Sequence, residues 1–148
     1  NYFMGGLYTA SEELDLAEDA FRRSLSAART PMTLNDLAWV RMLRGDLASA
    51  EKTVRESLAL AEGNYQAWDT LGAILMRLER FPEADQAFQR SLSLFQGAHE
   101  TVLHFAQLKL KMGDREMAGN LVTALGARRQ RLSLKSQREL DDLEKQLK

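Results

Sequence analysis

The sequence predicts an all-α solenoid, a stack of antiparallel helix pairs closed by a lone C-terminal helix, and three observations carry that expectation. Leucine, alanine, glutamate, arginine and glutamine fill long windows, period-two alternation is almost absent, and the 148 residues hold only two prolines. Apolar and small residues recur with a period of 34. The final dozen residues carry a leucine stripe on an otherwise polar helix, the pattern of a terminal lid.

The repeat is read from Trp68. Ala84 and Phe88 follow it by 16 and 20 residues, and a shift of 34 in either direction finds Ala50 with Val54 and Ala118 with Val122. Leu71 maps onto Leu37 and Phe105, and Gly72 onto Ala38 and Ala106. Gly45-Asp46 returns at Gly113-Asp114, Gly63 at Gly97 and Met42 at Met76. Upstream, "AEDAFRRSL" (17–25) parallels "ADQAFQRSL" (84–92), so Gly5 stands where Gly72 does and Tyr8 where Leu75 does.

Nine helices follow in order. The first, about 1–9, enters partway through a repeat. The second, about 12–27, opens with Thr9-x-x-Glu12, a capping box. Thr30 caps and Pro31 starts the third, about 31–44. Gly45 suits a left-handed helix end, and Asp46 caps the fourth, about 47–61. The fifth spans about 65–78. Leu78-Glu79-Arg80 lacks the turn glycine, yet Pro82 fits the first turn of the sixth, about 81–95. The seventh, about 99–112, ends at Gly113, and Asp114 caps the eighth, about 115–127. The ninth, about 136–147, opens with Ser136-x-x-Glu139 as a capping box and aligns Leu140, Leu143 and Leu147 on one stripe. The expected organisation is one domain, 1–148: a truncated repeat 1–30, repeats 31–64 and 65–98, a degenerate repeat 99–132, and a capping helix 133–148.

Gly72 sits inside a helix, where glycine costs about 0.5–1 kcal/mol against alanine. Something must therefore come close. The register explains it: Gly72, Ala38 and Ala106 are small so that the second helix of each pair can approach at Ala84, Ala50 and Ala118. Leu71, Phe88, Val54 and Phe105 then fill the wedge between pairs. One pair cannot bury its apolar face alone, so the pairs stack.

Trp68-x-x-Leu71-Gly72-x-x-Leu75 followed by Ala84-x-x-x-Phe88, on a 34-residue period, resembles the tetratricopeptide repeat (TPR) family over about residues 3–127. Two departures stand out: the aromatic usual at the Leu75 position appears only as Tyr8, and Gly63 and Gly97 replace the usual closing proline. The phrasing of "LNDLAW", "DTLGAIL" and "LHFAQLKLKMGD" is similar to that of bacterial repeat proteins, some of them linked to surface-polymer or exported-protein systems. The resemblance implies a right-handed α-α superhelix. It also implies that the first helices of the pairs line a concave groove that grips a peptide or partner segment.

By register that groove takes Tyr2, Phe3, Gly6 and Thr9 from the truncated unit, and Met32, Asn35, Asp36, Trp39 and Met42 from the second. The third contributes Gln66, Asp69, Thr70, Ala73, Met76 and Arg77, and the fourth Glu100, Leu103, His104, Gln107 and Lys111. Asn35 both donates and accepts, which suits an extended backbone, and Trp39, Met42 and Met76 offer adaptable apolar surface. The same residues also suit plain helix packing and, for Asn35, a local cap. Relatives that clamp a C-terminal carboxylate do so with lysine, arginine and asparagine. The matching places here hold Tyr2, Gly6, Asp36, Gln66 and Thr70, which argues against such a clamp. Asp36, Asp69 and Glu100 favour basic or neutral segments instead.

Other chemistries find little support. His99 and His104 are five apart, on different helix faces, while Glu100 and His104 can pair at four. No HExxH, Walker loop, GxGxxG or nucleophile–base set is present, so neither an enzyme nor a bound metal or cofactor is expected. A net charge of −1 gives no global attraction to nucleic acid or anionic membrane. "RRQRLSLKSQR" (128–138) holds five bases but no interleaved aromatics, which reads as a solvated helix end. No run approaches a membrane span of roughly 18 apolar residues. The absence of cysteine fits cytoplasm or periplasm alike. The chain reads as a piece of a longer protein, and its localisation stays open. Two roles are expected to compete: a non-catalytic module that binds a protein or peptide partner, and a structural spacer or self-assembling element. For the second, an open N-terminal end with Phe3, Met4 and Phe21 offers a route to a homodimer.

Overall fold

In the computed structural model the described residues are 10–148, and they form eight α-helices with one 3-10 turn and no strand. The helix expected at 1–9, with Tyr2, Phe3, Met4, Gly5, Gly6, Tyr8 and Thr9, lies outside them. The helices are α1 (Ala10–Ala27), α2 (Pro31–Leu43), α3 (Leu47–Leu60), α4 (Tyr65–Arg77), α5 (Phe81–Leu94), α6 (His99–Lys111), α7 (Arg115–Gly126) and α8 (Leu134–Gln146).

Helix ends follow the local chemistry. Thr30 accepts from the Thr33 amide at 3.1 Å, Asp46 from Ser49 at 3.4 Å and Asp114 from Met117 at 3.1 Å. The first helices of the three pairs close with the same turn. At Gly45, Glu79 and Gly113 the backbone turns left-handed, with φ of 86°, 60° and 84°. Each turn returns two amides to the last helical carbonyls, such as Gly45 to Met42 and Asp46 to Arg41, both at 2.9 Å. Glu79 adopts this conformation although it carries a Cβ.

Neighbouring helices pack in chain order as antiparallel pairs, α2 with α3, α4 with α5 and α6 with α7. Serines fasten two of them: Ser57 Oγ donates to the Pro31 carbonyl at 2.7 Å, and Ser91 Oγ to the Tyr65 carbonyl at 2.8 Å. The close approach at Gly72 is made by a ring. A Cβ built there would stand 2.5–2.9 Å from three ring carbons of Phe88, which has no exposed surface. The expectation placed the second helix's approach at Ala84; the atoms that crowd Gly72 belong to Phe88, one turn further along that helix. At the same register positions the other pairs carry Ala38 with Val54 and Ala106 with Val122, each two in one buried cluster, so a larger alanine goes with a smaller valine.

One buried cluster runs through α2–α5 and reaches Phe105 and Leu108 of α6; a second joins α6 and α7 to Leu132, Leu140 and Leu143. The capping helix starts earlier than expected. Ser133 is its cap, accepting from Ser136 at 3.1 Å, while Ser136 is buried inside it, so the expected Ser136–Glu139 box does not form. Between α7 and α8, Arg129 pairs with Asp141 and Glu144.

Ion pairs tie successive repeats together at one register position. Glu18, Glu51 and Asp85 each follow the small alanine of a second helix. They bind Arg41 at 3.1 Å, Arg80 at 2.8 Å and Lys109 at 2.6 Å, all supplied by the next unit. The corresponding place in α7 is Gly119, where the next element is the cap.

Candidate functional site

First helices touch one another directly, α2 against α4 and α4 against α6, whereas no comparable contact joins α3 to α5 or α5 to α7. A stack that is tighter on one side curves toward it, so α2, α4 and α6 form the inner face. This is the face named from the register.

Its centre is a chain of contacts across three repeats. His104 Nδ1 of α6 meets Asp69 Oδ1 of α4 at 2.9 Å, and the imidazole lies 6.2 Å from the ring centroids of both Trp39 and Phe88. Burial lowers the His104 pKa. The Asp69 hydrogen bond and charge, with Glu139 and Glu100 behind them, outweigh that effect and hold the imidazole above its ordinary value. His104 therefore pairs across the groove, and the Glu100–His104 pair along the helix does not form. Glu100 instead accepts from the Ser133 amide and the Ser136 hydroxyl, so its carboxylate is engaged by the cap.

Beside this chain lies a depression of about 330 Å³, where Asn35, Asp36 and Trp39 of α2 face Gln66, Asp69 and Thr70 of α4. Asn35 Oδ1 is buried there with no hydrogen-bond donor among the described residues. Burial pushes the Asp36 carboxyl above the usual carboxylate range. A second depression of about 320 Å³ shares Gln66 and Asp69 and continues past Tyr65, Phe95, His99, Glu100 and Arg131. The two form one trough along the N-terminal halves of the first helices.

Several residues assigned to the groove by register lie elsewhere. Met42 and Leu103 are 1% and 0% exposed and belong to the two buried clusters, because their register positions point between helices. Ala73 is likewise buried; Thr70 lines the first depression but is nearly buried, and its hydroxyl donates to the Gln66 carbonyl at 3.0 Å. Met76 is half-buried against the first cluster, and Arg77 donates to the Met42 carbonyl at 3.2 Å. Gln66 is open to solvent and Gln107 half-buried. Arg131, Phe95 and Glu139 were not among the sequence candidates. Each comes from a second helix, the 3-10 turn or the cap, and no first-helix register points to them. Among the described residues no cluster of histidine, aspartate and glutamate suits a metal ion, and no helix is long and apolar enough to cross a membrane.

No family model matches this chain, and no curated protein sequence does either. Solved structures do. The chain is similar to YrrB, described as a TPR protein with an unusual peptide-binding site, at 20% identity and a TM-score of 0.64. That match covers 82% of this chain and 63% of YrrB's, so this chain spans less than two thirds of that structure. Two crystal structures of MamA match at 16% and 18% identity with TM-scores of 0.64 and 0.66. They cover 94% and 92% of this chain and 96% and 81% of theirs. The fold is that of the tetratricopeptide repeat.

Proposed function

We propose that this tetratricopeptide-repeat fold is a non-catalytic interaction module that holds an extended segment of a partner protein along its inner face. The observation that carries this reading is the trough: two depressions joined at Gln66 and Asp69, lined by polar and aromatic side chains of neighbouring first helices. Its likeness to YrrB, a protein described by its peptide-binding site, supports the same reading. An extended chain suits such a surface because its backbone presents donors and acceptors at regular spacing to side chains such as Asn35 and Gln66. The residues retained from the register for this role are Asn35, Asp36, Trp39, Gln66, Asp69, His104 and Gln107. The whole chain is taken as one domain.

A photo-crosslinking amino acid placed at Gln66, exposed in the trough, or at Gln86, exposed on the outer side of α5, tests this in extract of the source cell. Adducts from Gln66 that disappear with Trp39→Ala, while circular dichroism shows that variant folded, support inner-face recognition. Adducts from Gln86 alone, or only between copies of the chain itself, move the role to an outer-face contact or a self-assembling spacer.

A further inference from the structure

We infer that the depression between α2 and α4 is a seat for one arginine or lysine side chain of the partner segment, an inference that rests on the inner-face reading above. Both ionisable groups that line it, Asp36 and Asp69, are acids, and no cation does. The second depression differs, because His99 and Arg131 contribute to its wall. Charge therefore divides the trough, and its α2–α4 end is the anionic one.

Asp36 makes this more than a patch of acids. Among the half-buried carboxylates, Glu18, Glu51, Glu56, Asp69, Asp85, Glu100 and Glu144 have a hydrogen-bonding partner, and Glu139 acts on the His104 imidazole through its charge. Asp36 has no such partner among the described residues, although burial already disfavours its charge. The Oδ1 atom of its neighbour Asn35 is a buried acceptor with no hydrogen-bond donor among the described residues. The unpaired, partly desolvated anion calls for a donor that carries positive charge, and the unsatisfied acceptor beside it for a hydrogen-bond donor of any kind.

A guanidinium meets all the requirements at once. It offers several N–H donors in a plane, can pair with a carboxylate while donating to an amide oxygen, and stacks on an aromatic face such as that of Trp39. Lysine meets the charge requirement but not the planar one. The volume, about 330 Å³, lies at the small end of ligand pockets and admits one long side chain with its neighbouring backbone.

Three capped nonapeptides, identical except for arginine, lysine or glutamine at the centre, are titrated into isotopically labelled protein at neutral pH. The two indole signals separate the outcomes. Trp39 lies in the trough, while the Trp68 indole N–H is held by the Glu62 carbonyl at 2.8 Å and serves as an internal control. The expected result is displacement of the Trp39 indole and Asn35 side-chain signals, with affinity falling from arginine to lysine. Glutamine is expected to bind at least tenfold more weakly than arginine. Asp36→Asn, which breaks no bond in the fold, abolishes that preference. If all three peptides move Trp39 with equal affinity, or Asp36→Asn keeps the preference, the arginine seat is wrong and the inner-face reading stands. If no peptide moves Trp39, or only signals from the outer helices move, both fail.

Discussion

The helix pairs α4–α5 and α6–α7 reach the same packing geometry with different side chains. In the first, a glycine lies beneath the ring of Phe88. In the second, Ala106 and Val122 share the load, and the last faces are closed by Leu140 and Leu143 of the cap. The turns show the reverse balance: α6 ends at Gly113, well suited to a left-handed backbone, while α4 ends at Glu79, which is not. The pair with the larger buried ring thus has the poorer turn. Interior volume and turn conformation are independent requirements, and across these two pairs the period of 34 keeps both while changing the residues that meet them.

The largest test of that comparison is loss of the ring. Phe88→Ala is expected to destabilise the protein by about 3–5 kcal/mol, and Val122→Ala by roughly 1.5–2.5 kcal/mol, read from urea unfolding monitored by circular dichroism. Equal losses at the two sites would show that the α4–α5 interior does not depend on the ring.

Next is the glycine beneath it. Gly72→Ala is expected to lose about 1–3 kcal/mol despite alanine's better helix propensity, because its Cβ would stand 2.5 Å from a buried ring. Adding Phe88→Val restores the alanine–valine combination of the other two pairs. The double variant should then be more stable than the sum of the single changes, by a coupling of about 1 kcal/mol or more. Additive losses would refute the small-for-large exchange.

Smaller effects sit in the turns. Glu79→Gly is expected to stabilise by about 1 kcal/mol, since it removes the left-handed strain of a residue with a Cβ, while Gly113→Ala costs about the same. A melting temperature that falls on Glu79→Gly would mean that the Glu79 side chain does more than occupy a turn.

The smallest effect is titration of His104, the residue that links the two pairs at Asp69. Its pKa is raised on folding, so its contribution is fully present below the unfolded value near 6.5 and is lost as pH rises through the higher folded one. Stability measured across this window should decline more in the parent than in His104→Gln. The groups that govern the slope are Asp69 on α4, Glu100 on α6 and Glu139 on α8. An identical pH profile in the two proteins would show that the imidazole exchanges no charge with them.

Much of this was legible in the residues. Helix order, the Thr30, Asp46 and Asp114 caps, the glycine turns and the terminal lid all depend on groups a few residues apart. Local chemistry of that kind survives in a sequence. The lid's start was misplaced by one turn because Ser133 and Ser136 are both capable caps, and only the burial of Ser136 chooses between them. Of the residues the register named for the groove, Asn35, Asp36, Trp39, Gln66, Asp69 and Thr70 line the first depression, while Met42 and Leu103 are buried in the two clusters. A helical period names a face to within a residue, whereas the boundary between groove and core is a fraction of a turn wide.

By itself, then, the sequence determined that helices pair and stack, where most of them begin, and which positions must be small, because periodicity and propensity are properties of neighbouring residues. The tertiary structure alone decided that Phe88 is what rests on Gly72, that His104 turns to Asp69 and Glu100 to the cap, and that Asp36 has no partner among the described residues. Those outcomes depend on side chains from separate helices meeting at angles of packing, and no spacing along the chain encodes such an angle directly.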